Sequence, residues 1–479
     1  MEIARERAAL RRRDLSRPLR QAIDDSLVGA TTTVLDFGCG HGDDVKHLVA
    51  RGVPARGWDP TLRPDVELRP AQVVNLGYVL NVIEDVRERT ATLQRAWALA
   101  EAVLVVAVRT VHEQRDLLGE RLADGLVTKR GTFQKFFEPA EAMGLISTAL
   151  GKPAVAVTPG IFYVFRSETA QEAFAASRIR RRAPVRARLA AGEEFERHRR
   201  LLSPIVDFLD VRGRLPSEVE VPMAGELVQQ LGSFARARRI VVQALGADYV
   251  EQAEVARTED LLVYLALTRF QRRPRFSVLP IDFQQDVRSL FRSYERACVL
   301  ADEVLLSVGQ REPLEKAFRT SNVGKLTPSA LYVHVSALQQ LPPLLRIYEG
   351  CARAYVGCVE GANIVKLHRD NPAVSYLLYP RFDSDAHPSL VASLLVGLRT
   401  LRVEHRRYEA AANPPILHRK ETMVDKDYPR RGMFSRLTKA EEKAGLFAAG
   451  RTIGTRQVWE EALRENGLRL RGHRLLRLS

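Results

Sequence analysis

Val34-Leu35-Asp36-Phe37-Gly38-Cys39-Gly40-His41-Gly42-Asp43-Asp44 is the stretch on which the fold turns. An apolar strand signal runs into a turn with glycine at alternate positions, and a helical stretch from Asp44 to Ala50 follows. Strand, glycine turn and helix in that order open a cofactor-binding βα unit. Glycine tolerates positive φ and lets the backbone approach a ligand closely. A helix N-terminus beyond the turn offers free N–H groups to a carboxylate. Asp36, at the strand end, is placed to face an ammonium group. Asp59 lies in Gly57-Trp58-Asp59-Pro60, at the end of the next strand. An acid there can accept both hydroxyls of a ribose.

A dinucleotide would want a third glycine at position 43, where Asp43 would instead repel a pyrophosphate. S-adenosylmethionine carries no phosphate and meets no such obstacle. Further along, Val73-Val74-Asn75-Leu76-Gly77-Tyr78-Val79-Leu80-Asn81-Val82-Ile83-Glu84-Asp85 sits where a fourth strand should end. Strand ends at the crossover of such a sheet meet the cofactor, so Asn75, Gly77 and Tyr78 are expected to line the reacting position.

The surrounding pattern supports an α/β, Rossmann-like domain over residues 1–168. Short strands are expected at Ala55–Trp58, Ala71–Leu76 and the all-apolar Val103–Val108, with helices from Arg89 to Ala100 and from Ala140 to Leu150. Ala154–Val157 and Ile161–Phe165 flank Thr158-Pro159-Gly160 and read as a hairpin. The sheet should be mostly parallel with an antiparallel edge. Residues 169–325 read as helical, with Glu226–Leu231, Phe234–Leu245, Thr258–Arg269 and Phe283–Val308 as helices. Residues 326–479 read as an α+β C-terminal domain, with a strand at Val374–Tyr379 and a helix at Pro388–Glu404.

The strings DFGCGHGDD, GWDP, VNLGYVLNVIED and GTFQKFF, with NPPILHRKE near the C-terminus, resemble the DNA phosphorothioation-associated methyltransferases of the class I S-adenosylmethionine-dependent superfamily. The resemblance spans nearly the whole chain. It implies S-adenosylmethionine as cofactor, held by Asp36, Gly38, Gly40, Gly42 and Asp59, with Cys39 and Asn75 in the same turn and strand end. It further implies a bacterial protein encoded near DNA sulfur-modification and restriction machinery. No catalytic base carries over.

Composition sets outer bounds. The 479 residues are 46% hydrophobic and 27% charged, a profile that suits a globular protein of two or three domains. Lys plus Arg number 73 against 58 Asp plus Glu, for a formal charge of +15. Such an excess suits a polyanion, whose phosphates release counterions on binding, although an Arg-rich composition alone gives the same number. Residues 178–200 carry nine Arg against three acids. That run either grips a duplex backbone or is a solvated face. Four cysteines, at 39, 298, 351 and 358, form no CxxC pair, which argues against a disulfide framework or a zinc site. No run approaches the length of a membrane span, and a reducing cytoplasm without membrane attachment is expected.

The methyl acceptor is less plainly written. Amine-directed enzymes place a D/N/S-P-P-aromatic turn at the end of strand four; here Asn75-Leu76-Gly77-Tyr78 stands there without the prolines. Either the side-chain oxygen of Asn75 or the backbone carbonyl of Leu76 is then the expected hydrogen-bond acceptor, with Tyr78 as the stacking ring. Cytosine-carbon chemistry needs a Cys nucleophile near strand four, and none is present. Thr132-Phe133-Gln134-Lys135-Phe136-Phe137 interleaves rings with cations, so Phe133 and Lys135 either stack and hold a nucleic acid or pack on the sheet edge. Ser16-Arg17-Pro18 starts a helix; Arg17 either reaches substrate or the segment merely caps. Asn413-Pro414-Pro415-Ile416 reads as a rigid turn. Asp383-Ser384-Asp385-Ala386-His387-Pro388 is either a metal-binding string or, more simply, a loop of backbone-satisfying side chains; no metal is expected. The expected function is methylation of DNA or another nucleic acid, with DNA sulfur-modification or restriction proteins as partners. The alternatives are an accessory protein that holds cofactor and nucleic acid without transfer, and a methyltransferase for a small molecule or protein.

Overall fold

The computed structural model describes residues 3–116, 119–179, 192–447 and 453–478. The chain forms two compact units: residues 1–170, 351–420 and 432–479 make the first, residues 171–350 and 421–431 the second. This departs from three consecutive domains at 1–168, 169–325 and 326–479, because the chain leaves the first unit near 170 and returns to it at 351.

The first unit is organised by β1 (Val34–Phe37), β2 (Ala55–Trp58), β3 (Ala71–Gly77), β4 (Ala100–Ala107), β5 (Val155–Thr158) and β6 (Ile161–Phe165). They form one sheet in the order β2-β1-β3-β4-β6-β5. The first four strands are parallel. β6 runs antiparallel to β4, and β5 antiparallel to β6. The mostly parallel sheet with an antiparallel edge hairpin is therefore present. One detail differs: the strand bearing Asn75 is the third along the chain, with turns and irregular backbone between β2 and β3 where a further strand would lie. β3 lies beside β1, and Asn75 is in register with Asp36.

Helices α1 (Arg17–Asp24), α2 (Asp43–Ala50), α3 (Val86–Leu99) and α4 (Pro139–Leu150) accompany the sheet. Local chemistry sets their ends. Asp85 caps α3 by accepting from the Arg87 N–H at 2.8 Å. α4 opens on Pro139 with a reciprocal Glu138–Glu141 capping box, and Gly151 ends it at φ 62°. Leu35, Val74 and Leu104 of the sheet pack with Leu93 of α3 and Ile146 of α4 in a buried core. The continuous run Val103 to Val106 suits a strand covered on both faces.

Between β4 and α4 the chain builds a small antiparallel sheet from Gly119–Leu122, Gly125–Thr128 and Phe133–Gln134. Arg89 of α3 is its anchor. That side chain is buried, forks onto both oxygens of Asp124 at 2.6 and 2.8 Å, and donates to the Ile83 carbonyl at 2.7 Å.

The remainder of the first unit includes an antiparallel meander, β7 (Ile364–His368), β8 (Ala373–Leu378), β9 (Ala392–Gly397) and β10 (Val403–Arg407). The helix expected over Pro388–Glu404 is instead β9, a turn and β10. Short apolar runs carry no decisive period, and here the β-branched Val391 and Val396 and the turn at Gly397 fit a strand.

The second unit is helical from Arg199 to Thr320. The expected single helix over Phe283–Val308 is two, Ile281–Phe291 and Tyr294–Ser307. Arg292 sits at φ 68°, and Ser293 caps the second helix by accepting from the Arg296 N–H at 3.1 Å. Residues 180–191, most of the Arg-rich run, lie outside the described residues; of the rest, Arg199 pairs with Glu196. Among the described residues no helix is long and apolar enough to cross a membrane.

Removing the Arg89 fork should loosen the small sheet. Arg89→Leu is expected to destabilise the fold by about 3 kcal/mol, because a half-exposed Asp124 and the Ile83 carbonyl lose their partner. A urea titration checks this, and an unchanged midpoint would contradict the anchoring role.

Candidate functional site

The glycine turn adopts the backbone that its sequence requires. Gly38, Gly40 and Gly42 stand at φ 84°, 53° and 76°. A Cβ on Gly38 would fall 2.4 Å from Val79 Cγ2, and one on Gly42 would fall 2.6 Å from the Arg63 guanidinium carbon. Glycine at both positions therefore answers to conformation and to space. The N–H groups of Gly38 and Cys39 both reach the Trp58 carbonyl, at 2.7 and 3.0 Å, which ties the turn to β2.

Asp59 completes the tie. One carboxylate oxygen accepts from the Gly40 N–H at 3.0 Å, and the other accepts from Thr61 and Leu62 at 3.0 and 2.9 Å. About four lone-pair positions are available on a carboxylate. Three being filled, about one remains, so the expectation that Asp59 accepts two hydroxyls narrows to one unless the Gly40 bond yields.

Asp36 is buried and accepts a hydrogen bond from Asn75 Nδ2 at 2.8 Å. Burial, reinforced by the neighbouring Asp44 and, more weakly, Asp59, pushes its carboxyl up to about 7; Asn75 and Arg12 pull in the opposite direction. Asn75 Oδ1 is buried without a hydrogen-bond partner. A buried carboxyl held near neutrality beside an orphaned amide oxygen is a site short of a cationic or hydrogen-bond-donating ligand.

These groups open onto a cavity of about 1200 Å³ at the C-terminal ends of β1, β2 and β3. Of the residues expected from sequence, Asp36, Gly38, Cys39, Gly40, Asp59, Asn75, Gly77, Tyr78 and Arg17 line it. Tyr78 stands at φ 64°, a strained backbone for an aromatic residue, and its N–H is held by the Ala107 carbonyl at 2.8 Å. The Arg12 guanidinium lies 5.7 Å from the centre of the Tyr78 ring. Arg17 donates to Thr158 Oγ1 at 3.0 Å and Glu360 at 3.1 Å, so it braces β5 at the edge of the cavity. Burial pushes the Cys39 thiol up to about 12, which keeps it protonated and unreactive.

The segment before α1 forms one wall. Arg5 forks onto Glu84 and Glu88, at 2.6 to 3.1 Å. The Arg12 N–H donates to Asp43 at 2.9 Å, and the Ser16 N–H to Asp44 at 2.6 Å. The first turn of α2 is thus occupied by its own acids, which disfavours a ligand carboxylate there. Sequence reading missed Arg12, Asp44 and Arg109, all of which line the cavity. Their signal was a basic N-terminal run and the acids of the glycine turn, legible as charge but without any sign of where they meet.

Three expected residues do not line the cavity: Gly42, Phe133 and Lys135. Phe133 has no exposed surface and lies under the Arg89 guanidinium, so it cannot stack on a base. Lys135 is buried and pairs with Glu141 at 2.7 Å, so it is not a free cation. Strand alternation sends these side chains to the core, while Thr132 and Gln134 line the cavity. The 383–388 string gathers no group of three metal-ligating side chains among the described residues. Its His387 bonds to the Leu417 carbonyl and to Glu441. Asn413 caps the helix Arg456–Glu465 by accepting from the Gln457 N–H at 2.9 Å.

The pH dependence of Asp36 is testable without any ligand. Its folded-state value is raised, so its contribution favours folding below the ordinary carboxylate range and is lost as pH climbs towards 7. Asp36→Asn keeps an acceptor for Asn75 but removes the charge. The variant should therefore melt higher than the parent at pH 8 and close to it at pH 5; equal melting points at both would contradict the raised value.

No protein-family model matches the chain, and no curated protein matches its sequence. Among solved structures it is similar to the sugar N-methyltransferase KedS8 from a Streptoalloteichus species, at 15% identity over 31% of this chain and 84% of that one, with a TM-score of 0.24. It is similar to CalS10, an amino pentose methyltransferase from Micromonospora echinaspora solved with S-adenosylmethionine, at 18% identity over 34% of this chain and 94% of that one, TM-score 0.24. A third is the 1,6-didemethyltoxoflavin-N1-methyltransferase from Burkholderia thailandensis with its substrate and S-adenosylhomocysteine, at 15% identity over 31% and 79%, TM-score 0.22. These three structures, each similar to about a third of this chain, are methyltransferases, one solved with S-adenosylmethionine and one with S-adenosylhomocysteine.

Proposed function

We propose that the chain binds S-adenosylmethionine in the cavity beside the glycine turn and transfers its methyl group to DNA or another nucleic acid. The observation that carries the cofactor assignment is the conjunction at one cavity of a three-glycine turn, Asp59 bonded to that turn, and a buried Asp36–Asn75 pair with an unfilled amide oxygen. Bound there, the cofactor supplies an electrophilic methyl on a sulfonium, displaced in line to leave a neutral thioether. The protein's task is then largely positioning.

Asp36, ionised by the approach of a cation, holds the ammonium end. Arg12, on the cavity wall, is placed to pair with the carboxylate that the acids of α2 exclude. Asp59 accepts a ribose hydroxyl. Asn75 Oδ1 accepts a hydrogen bond from an acceptor amine, and Tyr78, fixed in its strained conformation, supplies a ring for a base to stack on. The cavity exceeds what one small ligand fills, so a second reactant has room. Exposed Arg20, Lys129 and Arg130 at its lining and the formal charge of +15 favour a polyanionic acceptor. The sequence strings that resemble phosphorothioation-associated proteins favour an acceptor within a DNA-modification system, with sulfur-modification or restriction proteins as partners. A second reading, an accessory protein that keeps the cofactor as a ligand, is favoured by the missing Pro-Pro turn after Asn75.

Calorimetry with S-adenosylmethionine tests the first step. Affinity should tighten several-fold from about pH 5.5 to about pH 6.5 as Asp36 ionises, roughly a unit below the range where the ligand's α-amino group loses its charge. Asp36→Asn should abolish that dependence, and Asp59→Asn should weaken binding by about tenfold or more. Absence of heat in the parent would sink the assignment. Transfer is tested with radiolabelled methyl donor and duplex DNA: label in the DNA supports the leading reading, while cofactor heat with no label in DNA, RNA or protein selects the accessory one.

A further inference from the structure

The first unit ends in a two-stranded hairpin, β11 (Leu468–Arg471) and β12 (Arg474–Arg477), which follows the helix Arg456–Glu465. The register pairs Leu468 with Arg477, Arg469 with Leu476, Leu470 with Leu475, and Arg471 with Arg474. Side chains alternate between faces along a strand, and residues directly opposite share a face. One face therefore carries Leu468, Leu470 and Leu475, which pack against the buried cluster of Trp459 and Leu463. The other carries Arg469, Arg471 and Arg474 together with the half-buried Leu476, while Arg477 stands at the end of the leucine face.

Those three arginines are exposed. None of them makes a side-chain hydrogen bond or an ion pair among the described residues, in contrast to Arg5, Arg89 and Arg199, which are each matched to an acid. Arg471 and Arg474 stand directly opposite each other across the ladder, a like-charge pairing that weakens a hairpin. A face that existed only to be solvated would mix signs, and this one does not. Arginine presents a planar fork of donors that matches phosphate oxygens, on a stem long enough to reach them. Residues two apart on a strand are about 7 Å apart, so Arg469 and Arg471 can reach successive phosphates. A two-stranded ribbon is also narrow enough to enter the major groove.

We propose that this arginine face of the hairpin grips the phosphate backbone of duplex DNA. The proposal rests on the nucleic-acid acceptor assigned above and adds the surface that holds it, on a part of the chain to which no role has been given. The leucine face fixes the hairpin to its own core, and the outer face is left to the partner.

The test is fluorescence anisotropy of the full chain with a labelled 20-base-pair duplex between about 50 and 200 mM salt, with the triple variant Arg469→Gln, Arg471→Gln, Arg474→Gln beside the parent. Each phosphate contact contributes about 0.9 to the slope of log affinity against log salt, so the variant's slope should be shallower by roughly 3. Its heat of binding S-adenosylmethionine and its circular dichroism should match the parent's. Equal slopes and affinities would overturn the hairpin assignment while leaving DNA methylation standing. Hairpin-dependent binding without methyl transfer would do the reverse. Binding of anionic lipid vesicles in place of duplex, lost in the same variant, would reassign the face to a membrane surface.

Discussion

A buried hydrogen bond between neighbouring strands, from Asn75 on β3 to Asp36 on β1, is the constraint around which the candidate site is arranged. It holds a carboxyl where little water reaches it, at the point where both strands deliver their chains to the same cavity. A carboxyl kept there costs stability whenever it is ionised. The fold keeps it because the sheet around it is rigid: parallel pairing, the covered Val103–Val106 run and the caps of α3 and α4 leave no easy way to relax. Strain at Tyr78 is held in the same way, by a backbone bond to β4. Both are local departures from what is comfortable, side by side, in a domain that elsewhere obeys ordinary rules.

Much of this was legible beforehand. The alternation of strand and helix over the first 168 residues, the glycine turn and the edge hairpin follow from local patterns, each with its own physical cause. Asp36, Asp59 and Asn75 were legible because strand ends in such sheets converge, so position in the pattern is position in space. Phe133 and Lys135 stood between two readings that composition alone does not separate, and the structure takes the packing one: Phe133 lies beneath Arg89, and Lys135, just past the strand, pairs with Glu141. Arg12 was invisible because nothing in a basic N-terminal run says that it folds back over the glycine turn. The Pro388–Glu404 segment failed because an apolar run of strand length has no period of its own. The return of the chain to its first unit at 351 left no mark in composition at all.

The two carboxylates of the glycine turn divide their work by environment. Asp59 sits among backbone N–H groups and ties the glycine turn to the loop after β2. Asp36, in a drier place with Asp44 nearby, is poised between two protonation states. Identical side chains thus meet unlike surroundings, one set among backbone donors and the other in a drier place that disfavours its charge.

The wall formed by the residues ahead of α1 carries one more implication. Arg5 fastens its outer end by a fork onto Glu84 and Glu88, in partial contact with water, while the inner end is pinned through Asp43 and Asp44. Dissolved ions weaken such half-wet pairs far more than buried ones. Ionic strength therefore sets how firmly the outer end of this wall is held, while its inner end stays fastened by backbone donors, so the wall is tightest in dilute buffer.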